Sequence, residues 1–178
     1  MKMQGFTLIE LLVVFAILTL LFGFAIPGVG ELSDRTNVAV TARNLGHALQ
    51  WARSQAVSRN RLVGICPRSP DGLSDCGSDY GKGWLVFEDQ NGDRKWGRGD
   101  VLLKIHSTPI FPFRVLNRSG SKEVSKTIFF KPNGFSGQAM TLVVCPSGRS
   151  VKRSTGLVLN NLGRLSIRSG FKTCHFGG

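Results

Sequence analysis

No carboxylate follows Glu123. From Val124 to Gly178 there are eight basic residues, Lys126, Lys131, Arg149, Lys152, Arg153, Arg164, Arg168 and Lys172. Residues 1–123 carry fifteen Lys or Arg against eleven Asp or Glu, so the net charge is +4 there and +8 in the final third. An unbalanced basic block repels itself unless an anion lies nearby, which points to a polyanionic partner. A surface that merely keeps the protein soluble is the plainer account of the same charge. No Cys-x-x-C pair is present, and His47, His106 and His175 are too scattered for a zinc site. Without a Gly-x-Ser-x-Gly elbow or a histidine in a catalytic context, neither enzyme activity nor a cofactor is expected. Asp89, Asn91, Asp93 and Asp100 echo a calcium loop, but Arg94 stands where glycine belongs, Lys95 follows, and the bidentate glutamate is missing. A solvated turn, with no metal, is the expectation.

What the chain does have is strongly divided. From Phe6 to Ile26 every residue is apolar or small except Thr7, Glu10 and Thr19. At about 1.5 Å per residue such a helix spans one hydrocarbon core. Lys2 marks the cytoplasmic end, which sends the rest of the chain outward. An ordinary signal peptide would place a small-x-small site after the apolar run, and Phe24-Ala25-Ile26-Pro27 is no such site. Glu10 is the anomaly, because a carboxylate within a membrane helix costs on the order of 3 kcal/mol unless it has a partner or reaches the headgroups.

Gly5-Phe6-Thr7-Leu8-Ile9-Glu10, after a short basic leader and before the apolar run, resembles the prepilin processing motif of type IV pilins and type II secretion pseudopilins. The resemblance implies cleavage after Gly5 by prepilin peptidase, with Phe6 as the methylated mature N-terminus. It also implies that Glu10 meets the N-terminal amine of a neighbouring pilin subunit, a pairing that low dielectric strengthens. Pro27 matches the helix-kinking proline these proteins often carry.

Beyond Gly30, Val38, Leu45, Leu49, Ala52 and Ala56 form one apolar helical stripe, while Arg35, Arg43, Arg53 and Arg59 punctuate the remaining surface. Short β-like runs follow at 62–66, 84–88, 101–105, 127–130, 140–145, 157–159 and 165–167, separated by Asn/Asp/Gly/Pro turns. The predicted fold is α+β and type IV pilin-like: a long N-terminal helix packed on an antiparallel β-sheet domain. The expected organisation is a leader peptide at 1–5, a transmembrane helix at 6–27, an amphipathic stalk helix at 28–60 and a β-rich head at 61–178.

Ala52-Arg53-Ser54-Gln55-Ala56, Gly83-Trp84-Leu85-Val86-Phe87-Glu88-Asp89 and Asn161-Leu162-Gly163-Arg164 resemble stretches of the GspH/FimT minor-pilin family. Its C-terminal Gly-Arg-x-Arg motif is altered here, with Ser166 in place of the second arginine and Arg168 next. Residues two apart in a strand share a face, so Arg164, Ser166 and Arg168 line up.

Four cysteines allow three pairings, and for an exported domain local pairing, Cys66–Cys76 and Cys145–Cys174, is expected. The second bridge would gather Arg149, Lys152, Arg153, Arg164, Arg168 and Lys172 onto one basic flap. Such a flap suits sequence-independent DNA binding. The expected role is a minor type IV pilin that helps pilus assembly and binds extracellular DNA for uptake in natural transformation. Its expected partners are other pilin subunits, prepilin peptidase, the inner membrane before assembly, and DNA. A structural minor pilin without DNA binding, or a GspH-type pseudopilin of a type II secretion system, would use the same motifs. The expected location is the inner membrane as a single-pass precursor, then the periplasm and the extracellular pilus.

Overall fold

The computed structural model describes residues 7–70, 73–107, 111–148, 154–171 and 174, without the side chains of 22–32. Two compact units divide the chain, Met1–Asp34 and Arg35–Gly178. Helix α1 (Leu8–Arg59) contributes to both.

In the first unit Thr7 starts the helix. Its hydroxyl accepts the Glu10 N–H at 3.3 Å, satisfying one of the donors that a helix start leaves open. The apolar side chains from Leu8 to Leu21 are exposed. No described stretch of helix is long and apolar enough to cross a membrane. The expected span 6–27 falls partly outside the described residues, since Phe6 and the side chains from Phe22 onward are not among them.

In the second unit the stripe is buried as patterned. Val38, Leu45, Leu49, Ala52 and Ala56, joined by Ala42 and Ala48, are at most 4% exposed. The helix ends in a Schellman motif. Asn60 takes a left-handed φ of 54°, its N–H bonds Val57 O, and Arg61 N–H bonds Ala56 O.

Eight described strands follow: β1 (Leu62–Pro67), β2 (Trp84–Asp89), β3 (Val101–His106), β4 (Phe113–Leu116), β5 (Ile128–Phe130), β6 (Met140–Pro146), β7 (Thr155–Leu159) and β8 (Leu165–Ser169). They form two antiparallel sheets, ordered β3-β2-β1-β5 and β4-β6-β7-β8. β5 returns to pair with β1, placing Ile128 opposite Ile65.

Each sheet turns one face to the shared core. Trp84 and Val86 of β2, Leu142 and Val144 of β6, and Leu157 and Leu159 of β7 cluster with the α1 stripe. Alternation sends the neighbours to the outer faces. There Leu85 and Phe87 of the first sheet join Cys66 under Trp96, and Val143 and Cys145 of the second join Leu116, Cys174 and Phe171. The inner strands of both sheets are therefore covered on both sides, while the edge strands β3 and β8 are largely exposed, and each outer face carries one disulfide. Gly46 lets α1 sit close to the second sheet, since a β-carbon there would lie 3.2–3.3 Å from the Ile167, Leu157 and Leu165 side chains.

Candidate nucleic-acid interface

Cys66 is bonded to Cys76, and Cys145 to Cys174, across separations of 10 and 29 residues. Register fixes what surrounds the second bridge. Cys145 opposes Arg114, Val143 opposes Gly156, and Gly156 opposes Arg168, so all five lie on one sheet face. Phe171 covers Gly156, where any β-carbon would meet the ring at 2.7 Å. The chain after β8 thus folds back over the outer face of the second sheet and is held there by Cys174.

Arg168 is exposed on that face, next to Phe171. Arg164 is exposed at the end of the β7–β8 turn, where Asn160 N–H bonds Arg164 O and Arg164 N–H bonds the Asn160 side chain at 2.8 Å. The alternation of β8 puts Ser166 and Arg168 on one side and Leu165 and Ile167 toward α1, with Arg164 in the turn just before the strand. Neither arginine has an ion-pair partner among the described residues. Arg114 shares the face, but Glu123, the last carboxylate of the chain, accepts its Nε–H at 2.6 Å. Arg149, Lys152, Arg153 and Lys172 lie outside the described residues, as do Gly5 and Phe6. Glu10 is exposed in the first turn of α1, where the positive end of the helix favours a carboxylate.

The helix arginines depart from expectation. Arg53 and Arg59 are not simple surface punctuation. Arg59 pairs with the nearly buried Glu88 at 3.2 Å. Arg53 donates its Nε–H to Gly134 O at 2.8 Å and an NH2 hydrogen to Leu162 O at 3.4 Å, tying α1 to two turns 81 and 109 residues away. Both turns hold a left-handed glycine, Gly134 at φ 77° and Gly163 at φ 73°. A β-carbon on Gly163 would fall 2.2 Å from Gly134 O and 3.0 Å from Arg53 Nε. Ser136 and Gly137 complete the junction by donating their N–H groups to Asn161 O. Sequence shows Arg53 but not its acceptors, because these are the backbone carbonyls of Gly134 and Leu162. Beside this junction runs an open groove of about 740 Å³, bordered by Arg53, Ser54, Val57, Gly163, Arg164 and Leu165.

A second cleft, which shares Gln50 and Ser54 of α1 with the first, contains His47, Trp51, Lys104 and His106. The Lys104 ammonium sits 5.3 Å from the Trp51 ring centre, and His106 stacks on Trp84 at 4.9 Å. Partial burial, with Lys104 adding to it, pushes the His106 pKa below its usual value. The Asp89–Asp100 loop uses its carboxylates on its own backbone. Asp89 accepts from Gly92 and Arg94, Asp93 from Lys95, and Asp100 from Gln90 and Gly97. Among the described residues no three His, Cys, Asp or Glu are grouped to hold a metal.

Comparison with known proteins adds four findings. The sequence profile of the family described as Type II transport protein GspH matches residues 41–163, and that of the prokaryotic N-terminal methylation motif matches residues 1–26. Pilin-like protein PilA1 of Thermus thermophilus is 29% identical over 169 residues, covering 94% of this chain and 99% of the relative. Two crystal structures of the type IV minor pilin FimU of Pseudomonas aeruginosa superpose with TM-scores of 0.56 and 0.59. Identity is 22% and 21%, coverage 77% and 81% of this chain and 99% of FimU, so this likeness is one of fold.

Proposed function

Since the chain belongs to the GspH family and carries the N-terminal methylation motif, we propose that its minor-pilin role is exercised in a type IV pilus that binds extracellular DNA for uptake. Proteins of this family are structural rather than enzymatic. The methylation motif makes this chain a prepilin, anchored in the inner membrane and then assembled with other pilins after prepilin peptidase has acted. Cleavage after Gly5, methylation of Phe6 and pairing of Glu10 with a neighbour's amine belong to this proposal. The observation that supports DNA as the partner is the exposed pair Arg164, just before β8, and Arg168, on it, both without a carboxylate partner among the described residues. Arg149, Lys152, Arg153 and Lys172 extend the basic region in sequence.

The test uses full-length protein in neutral detergent, titrated with duplex DNA of several sequences. Binding is expected at micromolar Kd or looser, indifferent to sequence and steeply weakened by salt, as for phosphate contacts that release counterions. Replacing Arg164 and Arg168 together with Gln is expected to weaken binding to every sequence alike and to flatten the log–log salt slope by up to about two. Arg43→Gln on α1 is the neutral control; Arg53 is unsuitable because it holds the two turns. Absence of binding at low salt removes the DNA role and leaves a subunit that primes assembly. The family match also favours a second reading, a pseudopilin of a type II secretion system. Whether pilus or secretion genes lie beside this one decides between them.

A further inference from the structure

The groove between α1 and the β7–β8 turn is bordered by Arg53 and Arg164 and, among the described residues, by no carboxylate. Arg53 is partly buried, yet among the described residues its two hydrogen bonds go to neutral carbonyls, Gly134 O and Leu162 O. Its charge is therefore oriented but not neutralised. Arg164, on the same groove, has no ion-pair partner among the described residues. Two like charges bordering one cleft repel each other, and an anion between them converts that repulsion into attraction. The walls are already set. Arg53 is tethered at two points, and Gly163 has no room even for a β-carbon, so little ordering remains to oppose binding. Its volume of about 740 Å³ lies in the range of ligand sites. Val57 and Leu165 supply an apolar patch beside the cations.

Building on the DNA-binding reading above, we propose that this groove is a phosphate subsite. One phosphodiester of the bound strand sits between Arg53 and Arg164, with its deoxyribose against Val57 and Leu165. A strand crossing the β8 edge passes from Arg168 to Arg164 and on into the groove. Arg53 then has two tasks, fixing the turn and presenting charge to the phosphate.

The test places charge in the groove without touching the core. Val57 is 53% exposed, and Val40, 46% exposed, stands seventeen residues earlier on the same helix. At about 1.5 Å per residue the two are about 25 Å apart, beyond the Debye length of about 10 Å at 0.1 M salt. Full-length V57E, V57K and V40E are titrated with duplex DNA, and their melting is compared with wild type. V57E is expected to weaken binding by about tenfold, as a carboxylate close to a bound phosphate should. V57K is expected to strengthen it several-fold, and V40E to change it little. Equal effects of V57E and V40E, or weakening by V57K as well as V57E, overturn the proposal. If R164Q/R168Q loses DNA while V57E keeps it, the groove is refuted and the basic β8 face stands. If wild type binds no DNA, the broader reading fails with it.

Discussion

Gly163→Ala tests the junction that Arg53 holds. Two costs can be worked from the structure. At φ 73° an alanine occupies the left-handed region, at about 1–2 kcal/mol. Its methyl group would also lie 2.2 Å from Gly134 O, a backbone atom that moves only if the 131–135 turn opens. That movement breaks the 2.8 Å bond from Arg53 to the same oxygen, and a hydrogen bond to a charged group contributes about 1.5–3 kcal/mol. Together the loss is about 2.5–5 kcal/mol, a large part of the stability of a domain this size. Gly92→Ala is the matched control. Gly92 has φ 78° but nothing within 4 Å of its β-carbon position, so it bears the strain alone, about 1–2 kcal/mol. Urea unfolding of residues 35–178 followed by circular dichroism measures both. The difference between the two variants isolates the collision. Equal losses would show that the two turns are not locked together, and that the Arg53 junction is incidental.

Three further outcomes are expected. Glu10→Ala is expected to be cut after Gly5 and inserted normally, since it removes a charge from an apolar helix, but to be depleted from sheared filaments on immunoblots; normal incorporation would leave Glu10 without a partner role. Replacing Cys145 and Cys174 with Ser closes no 29-residue loop in the unfolded chain and is expected to cost about 3–4 kcal/mol, against about 2–3 for Cys66 and Cys76 with their 10-residue separation; denaturant midpoints in the reverse order would refute the loop argument. Because partial burial lowers the His106 pKa in the folded chain, the unfolded chain takes up the proton first. Stability should therefore fall as pH drops from about 6.5 toward the lower folded value, and His106→Phe, which keeps a ring against Trp84, should remove that part of the pH dependence in urea midpoints; an unchanged profile would assign it elsewhere.

Several elements were legible because local pattern and burial agree. The α1 stripe reads at spacings of three and four, and Trp84–Asp89 reads as a strand because both of its faces are apolar and both are covered. β4 escaped the reading. Phe113 and Val115 do alternate with Arg114, but four residues between Pro112 and Asn117 give too short a period to stand out. The second sheet also escaped, since nothing local tells β5 to return to β1 while β4 pairs with β6. Within the candidate site, Arg164 and Arg168 were visible as charges, with Arg164 in the turn just before β8. The role of Arg53 was not, because its acceptors are carbonyls of Gly134 and Leu162, and any residue type offers a carbonyl.

The chain has one tyrosine, and the fold encloses it completely. The Tyr80 hydroxyl lies within hydrogen-bond range of two carbonyls, Ile65 O at 3.1 Å and Lys126 O at 3.0 Å, and burial pushes its pKa up strongly. Once the chain opens, the same phenol ionises at about pH 10. In buffer at or slightly above about pH 10, therefore, near-ultraviolet phenolate absorbance marks molecules in which β1 and the segment before β5 have separated. Nature has supplied the head with a single-site optical reporter of its own opening, readable without labels in purified subunits.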